Sequence, residues 1–195
     1  MRYHLYVALP ARHGEPVAAV TNMCPGQPPP VPHVTLVGPA EIVADEREPE
    51  LVHALRATAR SFAPCTIRYD GVAFFPKKRC IYIRVDLTPE LAACQKALAR
   101  ASRRLLAPSY QSGFRYRPHI TLAARLFPWE GEILWRALRH RPFEGTFRCR
   151  EILLMRQVAA DAPWLRLARL PLAGDPAGEV PGAVPPARRP SAGAG

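Results

Sequence analysis

Two short segments of the chain carry the same set of side chains, and these side chains can move protons and hold a phosphate. One segment, PHVTLVGP, contains His33 and Thr35, and the other, PHITLAAR, contains His119 and Thr121. In a β-strand, residues i and i+2 point to the same face, so each histidine is expected beside its threonine while the aliphatic residues between them face the core. The repeat therefore predicts two neighbouring strands that present four polar groups to one groove.

These residue types suit phosphoryl transfer at a ribose. Imidazole has an unperturbed pKa near neutrality, so one of His33 and His119 can accept a proton from the nucleophile while the other protonates the leaving oxygen. The hydroxyl groups of Thr35 and Thr121 can donate to non-bridging phosphate oxygens and hold the phosphorus between the two rings. The pattern predicts an acid–base pair that requires neither a metal nor a nucleotide cofactor. It leaves open which histidine is the base, because both motifs offer the same groups.

Two other interpretations of the motifs are weaker. A single histidine in an apolar strand is more often structural, and threonine is common in strands because it is β-branched, but the duplication argues against both explanations. A zinc site would need further ligands, and the two histidines have no cysteine or acidic third ligand near them in the sequence. The predicted site therefore contains no metal.

Strands and helices follow one another in a mixed order along the chain. Runs rich in β-branched and aromatic residues predict strands at 3–9, 34–37, 66–73, 80–87, 120–123, 146–155 and 165–170. Apolar residues at helical spacing predict helices at 49–62, 89–107 and around 130–140. Thr88 is expected to cap the second helix, with Pro89 at its first position. Because a helix and further strands follow each His-x-Thr-Leu segment, the chain is predicted to form two similar lobes.

The paired His-x-Thr motifs resemble those of the 2H phosphoesterase superfamily, specifically the 2′-5′ RNA ligase and RNA 2′,3′-cyclic phosphodiesterase family. The resemblance covers residues 2–172 and includes the opening strand that ends in ALP, PHVTL, a central Phe-Pro turn, a long helix, RPHITLA and a closing pair of strands. It implies an α+β, bilobal fold with an internal pseudo-twofold axis, in which lobes of antiparallel sheet with outer helices surround a central groove. Residues 11–32 depart from the family pattern because they are short and proline-rich, so we expect the first lobe to be partly stripped there.

Other basic and aromatic residues near the motifs are candidates for substrate binding. Lys78 and Arg79 lie on the turn before a predicted strand, and Arg117 precedes the second motif, where their charges could attract a nucleic-acid backbone. A solvated basic loop explains them equally well. Tyr82 could stack on a base or belong to the core, and Phe75 is expected in the core. Four histidines have no neighbouring repeat context and are expected to be structural or on the surface: His4, His13, His53 and His140.

Composition restricts the class of protein further. The chain has 195 residues and a formal net charge of +11, which favours an anionic partner such as nucleic acid. We predict one domain at 1–172 and a disordered tail rich in Pro, Gly and Ala at 173–195. The five cysteines are odd in number and scattered, which is typical of reduced thiols in a cytoplasmic protein. No apolar run is long enough to span a membrane. No protein partner is implied, and because the fold that the resemblance implies needs no partner to close its groove, we expect a monomer.

The predicted function is hydrolysis of a 2′,3′-cyclic phosphate of RNA or a nucleotide to a 2′-phosphate, with 2′-5′ RNA ligation as the reverse reaction. Two alternatives stay open at this level. One is a phosphodiesterase for small nucleotides, such as a cyclic ADP-ribose phosphate or a 2′-5′ oligoadenylate. The other is an RNA-binding protein that keeps the fold and has lost catalysis.

Overall fold

The computed structural model describes residues 1–25, 31–75, 77, 79–107 and 115–174. Within these residues the chain forms eight β-strands and four α-helices, in addition to one short 3-10 helix. In chain order they are β1 (Arg2–Ala8), α1 (Ala11–Thr21), β2 (His33–Glu41), α2 (Glu48–Arg60), β3 (Cys65–Phe75), β4 (Cys80–Val85), α3 (Pro89–Ser102), β5 (His119–Ala123), α4 (Pro128–Leu138), β6 (Glu144–Cys149), β7 (Glu151–Gln157) and β8 (Leu165–Pro171).

The strands form one sheet with the order β6-β3-β4-β5-β2-β1-β7-β8, and every neighbouring pair is antiparallel. The order divides into two halves of four strands that meet between β5 and β2. The first half, β2-β1-β7-β8, carries the first motif, and the second half, β6-β3-β4-β5, carries the second. Each motif strand has one partner within its own half, because β1 pairs with β2 and β4 pairs with β5. In the ladder between β2 and β5, where the two halves meet, the one residue pair is Val34 with Ile120. This arrangement confirms the predicted bilobal α+β fold with its internal pseudo-twofold relation.

The helices cover the sheet in a pattern that follows the same relation. Helix α1, from the first half of the chain, contacts β5, and α3 contacts β2, so each packs against the motif strand of the other half. Helix α2 packs on α3 and β8, whereas α4 packs on β3 and β4. Helix α3 begins as predicted, since the Thr88 hydroxyl accepts a hydrogen bond from the Leu91 amide at 3.3 Å. Its buried side chains, Leu91, Cys94 and Leu98, recur at helical spacing.

Residues 11–21 correct the expectation of a stripped first lobe, because they form helix α1. The residues that this helix buries are Gly14, Val17, Val20 and Thr21, which recur every three or four positions along one face. Pro10 precedes the first turn, and its carbonyl accepts hydrogen bonds from the amides of the residues three and four positions later. The prolines concealed the apolar stripe in the sequence. Residues 26–30 lie outside the described part of the chain.

The strand predicted at 146–155 is two strands, which corrects a second expectation. β6 ends at Cys149 and pairs with β3 at one edge of the sheet, whereas β7 starts at Glu151 and pairs with β1 in the other half. Only Arg150 separates them, so the chain passes directly from one half to the other. Because consecutive Cα atoms are about 3.8 Å apart, this link requires the sheet to curve until its two halves meet at this point. An unbroken run of β-forming residues gives no sign of such a crossing.

The packed part of the chain extends slightly beyond the predicted domain boundary at residue 172. Leu172 is buried, and its amide donates to the Arg150 carbonyl at 2.9 Å. The Gly174 amide donates to the Phe62 carbonyl, also at 2.9 Å. The rest of the predicted tail, 175–195, lies outside the described residues.

Candidate active site

The structure brings the two His-x-Thr motifs together on adjacent strands. His33 is the first residue of β2 and His119 is the first residue of β5. The antiparallel pair of Val34 with Ile120, both fully buried, places His33 beside Thr121 and Thr35 beside His119. All four polar side chains therefore lie on the face of the sheet opposite the buried pair, and all four are partly exposed.

Each motif holds its histidine ring by the same hydrogen bond. Nδ1 of His33 is 2.7 Å from the carbonyl oxygen of Val31, and Nδ1 of His119 is 2.8 Å from the carbonyl oxygen of Arg117. A carbonyl oxygen can only accept, so in both rings Nδ1 carries the proton and donates it. The opposite nitrogen, Nε2, is therefore the atom of each ring that can exchange a proton with a substrate. In both motifs a proline separates the histidine from the residue whose carbonyl accepts the hydrogen bond.

The surroundings of His33 favour its neutral form. Burial lowers the pKa of His33 below its ordinary value and the neighbouring His119 lowers it further, while the hydrogen bond to Val31 opposes the shift. The imidazole is stacked on the ring of Tyr6, with centroids 4.4 Å apart and planes at 28°. A neutral imidazole whose Nδ1 donates can accept a proton at Nε2.

His4 belongs to this site, although the sequence pattern assigned it to the structural or surface histidines. Its Nε2 lies 3.0 Å from Oγ1 of Thr35, and its ring meets that of His33 edge-on at 5.1 Å. The indole ring of Trp164 lies 5.6 Å from the His4 ring. Burial lowers the pKa of His4 to about 3, so the ring is neutral near pH 7. The alternation of β1 contained the signal, because His4 and Tyr6 are two residues apart and so point to the same face.

The second half of the site is built on β4. Tyr82 lies opposite Thr121, and Arg84 lies opposite His119 in the ladder between β4 and β5. The Tyr82 ring is stacked on Phe75 at 4.0 Å, and its edge faces the His119 ring at 5.4 Å. Phe75 also meets His119 edge-on at 5.6 Å and is partly exposed, so it is not the core residue that was expected.

The basic residues named from the sequence separate into three groups. Arg117 lines a groove of about 540 Å³ together with Tyr82, Arg84 and Arg115. Arg79 is exposed on the turn between β3 and β4, and it is not among the residues that line this groove. Lys78 lies outside the described residues. Sequence reasoning missed Arg84, although the i+2 spacing from Tyr82 places both on one face.

Strand β2 pairs with β5 at only one residue, and side chains from other elements donate hydrogen bonds to two of its carbonyl groups. The Tyr116 hydroxyl donates to the Thr35 carbonyl at 2.9 Å. The Gln95 amide donates to the Leu36 carbonyl at 3.2 Å. These bonds satisfy backbone groups that a longer ladder would otherwise pair, and they allow the two motif strands to separate into a groove.

The described part of the chain has neither a candidate metal site nor a candidate membrane span. No group of three or more His, Cys, Asp or Glu side chains there is arranged to hold a metal ion. None of the described helices combines the length and the apolar character needed to cross a membrane.

A curved antiparallel sheet with a pseudo-twofold relation, carrying one His-x-Thr strand from each half at its centre, defines the class of 2H phosphoesterases. The chain belongs to the 2′-5′ RNA ligase superfamily, whose family model matches residues 10–161.

Solved structures share this fold at low sequence identity. TT0787 of Thermus thermophilus is 21% identical, with a TM-score of 0.66 over 90% of this chain and 100% of that one. E. coli LigT complexed with 3′-AMP is 20% identical, with a TM-score of 0.62 over 88% of this chain and 97% of that one. LigT complexed with ATP is 22% identical, with the same TM-score of 0.62 over 88% and 97% of the two chains. A comparison with curated proteins gives no match.

Proposed function

We propose that this protein is a metal-independent phosphodiesterase that opens a ribose 2′,3′-cyclic phosphate to a 2′-phosphate, with His33 and His119 as its acid–base pair. The observation that carries the proposal is the matched hydrogen bonding of the two rings. Each Nδ1 is held by a carbonyl, which leaves two Nε2 atoms on one face of two adjacent strands. A pair of proton-exchanging groups around one small space is what an in-line displacement at phosphorus requires.

In the proposed ring opening, one of the two imidazoles accepts a proton and the other donates one. One neutral imidazole accepts a proton at Nε2 from water as the water oxygen bonds to phosphorus. The bond between phosphorus and the ribose 3′-oxygen breaks, and the other imidazole, protonated at Nε2, gives its proton to that oxygen. The products are a 2′-phosphate and a 3′-hydroxyl group, and the two histidines have exchanged protonation states. The same ring opening with a 5′-hydroxyl group in place of water as the nucleophile gives a 2′-5′ diester and a free 3′-hydroxyl group, which is 2′-5′ ligation.

The two threonines are suited to the phosphate oxygens. Thr35 and Thr121 lie beside the histidines of the opposite motif, so their hydroxyl groups can donate to the non-bridging oxygens on which charge develops. Their donation requires no metal. The complex of the similar E. coli LigT with 3′-AMP supports a nucleotide phosphate as the ligand of this kind of groove.

The test is an assay of the purified protein in EDTA with nucleoside 2′,3′-cyclic phosphates and with short RNA that ends in a cyclic phosphate. Chromatography identifies whether the product carries a 2′- or a 3′-phosphate. We expect a 2′-phosphate, and we expect His33→Ala and His119→Ala each to lower kcat by about 10²- to 10⁴-fold. His53→Ala is the matched control because His53 is exposed on α2, away from the motifs.

The other outcomes separate the alternative functions. Turnover only of small substrates, such as a cyclic ADP-ribose phosphate or a 2′-5′ oligoadenylate, would favour a small-nucleotide phosphodiesterase. Binding of RNA without turnover of any cyclic or 2′-5′ substrate would replace the proposal with a non-catalytic RNA-binding role. A 3′-phosphate product would contradict the proposed direction of ring opening.

A further inference from the structure

The groove on the second half of the sheet contains a cluster of guanidinium groups that the proposed reaction does not use. Its basic side chains are Arg84, Arg115 and Arg117, and Tyr82 lines the same groove. We propose that this cluster is a second phosphate subsite, which binds a non-reacting phosphate of the same substrate while His33 and His119 act on the cyclic phosphate. The inference rests on the proposed function and names the class of substrate: one that carries a second phosphate beside the reacting nucleotide.

Arg84 is placed next to the reaction centre by the sheet itself. It lies directly opposite His119 in the ladder, so their Cα atoms are neighbours at about 5 Å. Its Nε donates to the Asp70 carbonyl oxygen at 3.1 Å. This bond leaves the terminal nitrogens of the guanidinium group available to a ligand.

The strand beside Arg84 is shaped to make room for it. The register of β3 against β4 shifts between Tyr69 and Val72, and Gly71 within this irregularity has a φ of +66°. A Cβ atom at Gly71 would collide with the guanidinium group of Arg84. The left-handed backbone favours glycine here, and a Cβ atom at this position would push the flexible end of the Arg84 side chain out of its place.

Tyr82 shares this groove with Arg84 and Arg117, whose charges act on its hydroxyl group. Burial raises the pKa of Tyr82, and the nearby charges of Arg117 and Arg84 act in the opposite direction. A phenol hydroxyl and guanidinium groups are all hydrogen-bond donors to a phosphate. Three donors from three residues around one space form a more specific anion site than a basic loop does.

The charges of the groove are compatible with direct binding of one anion. Within the described residues, none of the three arginines forms an ion pair with a carboxylate. Asp70 and Asp86 also line the groove, so it holds three positive and two negative side chains. Recognition would thus depend on short, charge-assisted hydrogen bonds from the guanidinium groups rather than on a large excess of positive field.

The first half of the sheet lacks the corresponding arginine. Ala8 lies opposite His33, where Arg84 lies opposite His119 in the second half. A methyl group cannot hold a phosphate. The subsite is therefore one-sided, and the non-reacting phosphate is expected on the His119 side of the reaction centre.

A second phosphate next to a cyclic phosphate can come from two sources, which the experiment separates. One is a 5′-phosphate on a mononucleotide, and the other is the phosphodiester that links the terminal nucleotide to the preceding one. We would measure kcat/KM for a nucleoside 2′,3′-cyclic phosphate with a 5′-hydroxyl, for the same compound with a 5′-phosphate, and for a dinucleotide that ends in the cyclic phosphate. The quantity of interest is the ratio of each value to that of the 5′-hydroxyl compound.

We expect a ratio of at least about tenfold for one or both of the compounds with a second phosphate, as charge-assisted hydrogen bonds to guanidinium groups provide. Arg84→Gln and Arg117→Gln should each reduce that ratio several-fold. Arg60→Gln, at the exposed end of α2, is the control and should leave the ratio unchanged. A preference for the 5′-phosphate alone identifies a small nucleotide, and a preference for the dinucleotide alone identifies an oligonucleotide chain.

A binding measurement keeps the subsite testable apart from turnover. Calorimetric dissociation constants of a nucleoside 2′-phosphate and of the matching 2′,5′-bisphosphate should differ by about tenfold in the wild type and by much less in Arg84→Gln. Equal affinities together with kcat/KM ratios near one for both compounds in an active enzyme would overturn the subsite while leaving the proposed function intact. Absence of turnover together with a preserved affinity difference would overturn the proposed function and retain the subsite.

Discussion

The two halves of the sheet are alike at the residues that we propose exchange protons, and they differ at the residues that surround them. Each half begins its motif strand with a histidine whose Nδ1 donates to the carbonyl two residues before it. Each also places a tyrosine opposite the motif threonine, Tyr6 in the first half and Tyr82 in the second. The duplicated parts are those that the proposed reaction needs on both sides of the phosphorus.

The differences lie two residues before and two residues after these tyrosines. In the first half, His4 and Ala8 flank Tyr6, and His4 contacts both Thr35 and His33. In the second half, Arg84 stands where Ala8 stands in the first, opposite the motif histidine. Next to its motif, the first half therefore has the neutral ring of His4, whereas the second half has the groove lined by arginines. This difference implies that the substrate enters in one orientation and that the two histidines have different roles.

The largest expected effect tests whether the two histidines differ in role. We expect His33 to be the base, because burial lowers its pKa and keeps its Nε2 unprotonated at neutral pH. His33→Ala and His119→Ala should each lower kcat by about 10²- to 10⁴-fold on a cyclic phosphate. On a diester with a 4-nitrophenolate leaving group, which needs no proton, only His119→Ala should recover most of its activity.

The measurement is kcat for both variants on the two substrates at pH 7. Recovery in His33→Ala instead of His119→Ala would reverse the assignment of base and acid. Equal recovery in both variants would show that the two halves are interchangeable for this reaction.

The second prediction concerns the loss of stability in acid. His4, which has no counterpart in the second half, is expected to contribute to this loss. The folded-state pKa of His4 is about 3 against an ordinary value of 6.5, so between these values the unfolded chain binds a proton that the folded chain does not. The free energy of unfolding therefore falls as the pH drops below 6.5, and His4 contributes up to about 3 kcal/mol of this decrease at pH 4. Urea unfolding at pH 7 and pH 4 should show a smaller loss in His4→Phe than in the wild type. The control variant His53→Phe should lose as much stability between pH 7 and pH 4 as the wild type does. The prediction would be wrong if His4→Phe also lost as much as the wild type.

A third prediction concerns the contact between His4 and Thr35, which has the geometry of a hydrogen bond at 3.0 Å. Because Nε2 of a neutral His4 orients the Thr35 hydroxyl, His4→Phe and Thr35→Val should each lower kcat by about tenfold or more and should not be additive. Steady-state kinetics of the two single variants and the double variant give the coupling. His4→Phe with Thr121→Val is the matched control, because Thr121 belongs to the other motif and the two losses should multiply. If the double variant His4→Phe with Thr35→Val lost kcat by the product of the two single losses, His4 would not act through the Thr35 hydroxyl.

The smallest expected effect concerns the position of Arg84, the residue that distinguishes the second half from the first. Gly71→Ala places a Cβ against the Arg84 guanidinium group in a left-handed backbone, which should cost roughly 1 kcal/mol of stability and move the arginine. We expect the kcat/KM ratio between substrates with and without a second phosphate to fall by several-fold. Gly14→Ala in α1 is the control, since its Cβ would meet only ordinary contacts at 3.5 Å and helical alanine is favourable. An unchanged ratio in Gly71→Ala would mean that the bulge does not position Arg84.

The sequence by itself determined the elements with strong local signals. Thr88 and Pro89 marked the start of α3 because a side-chain cap and a fixed φ act within a few residues. The two His-x-Thr segments were placed on strands, with both polar residues of each on one face, because the period of a strand is two. The repeat also predicted two similar lobes, since two segments with the same pattern form the same element, and the family resemblance implied the pseudo-twofold axis that relates them.

Local patterns were insufficient where long-range packing or a single residue decided the structure. Helix α1 was hidden because Pro16 inside it opposes a helix locally, whereas burial of Val17 and Val20 in the core favours one. The break at Arg150 was invisible because β-propensity does not record which strand a residue will pair with. His4 and Arg84 lie far in sequence from the motif histidines, on β1 and β4, and only the strand register brings them to the site. Sequence spacing fixes which face of a strand a side chain occupies, whereas the neighbour it meets there depends on the free energy of packing the whole sheet.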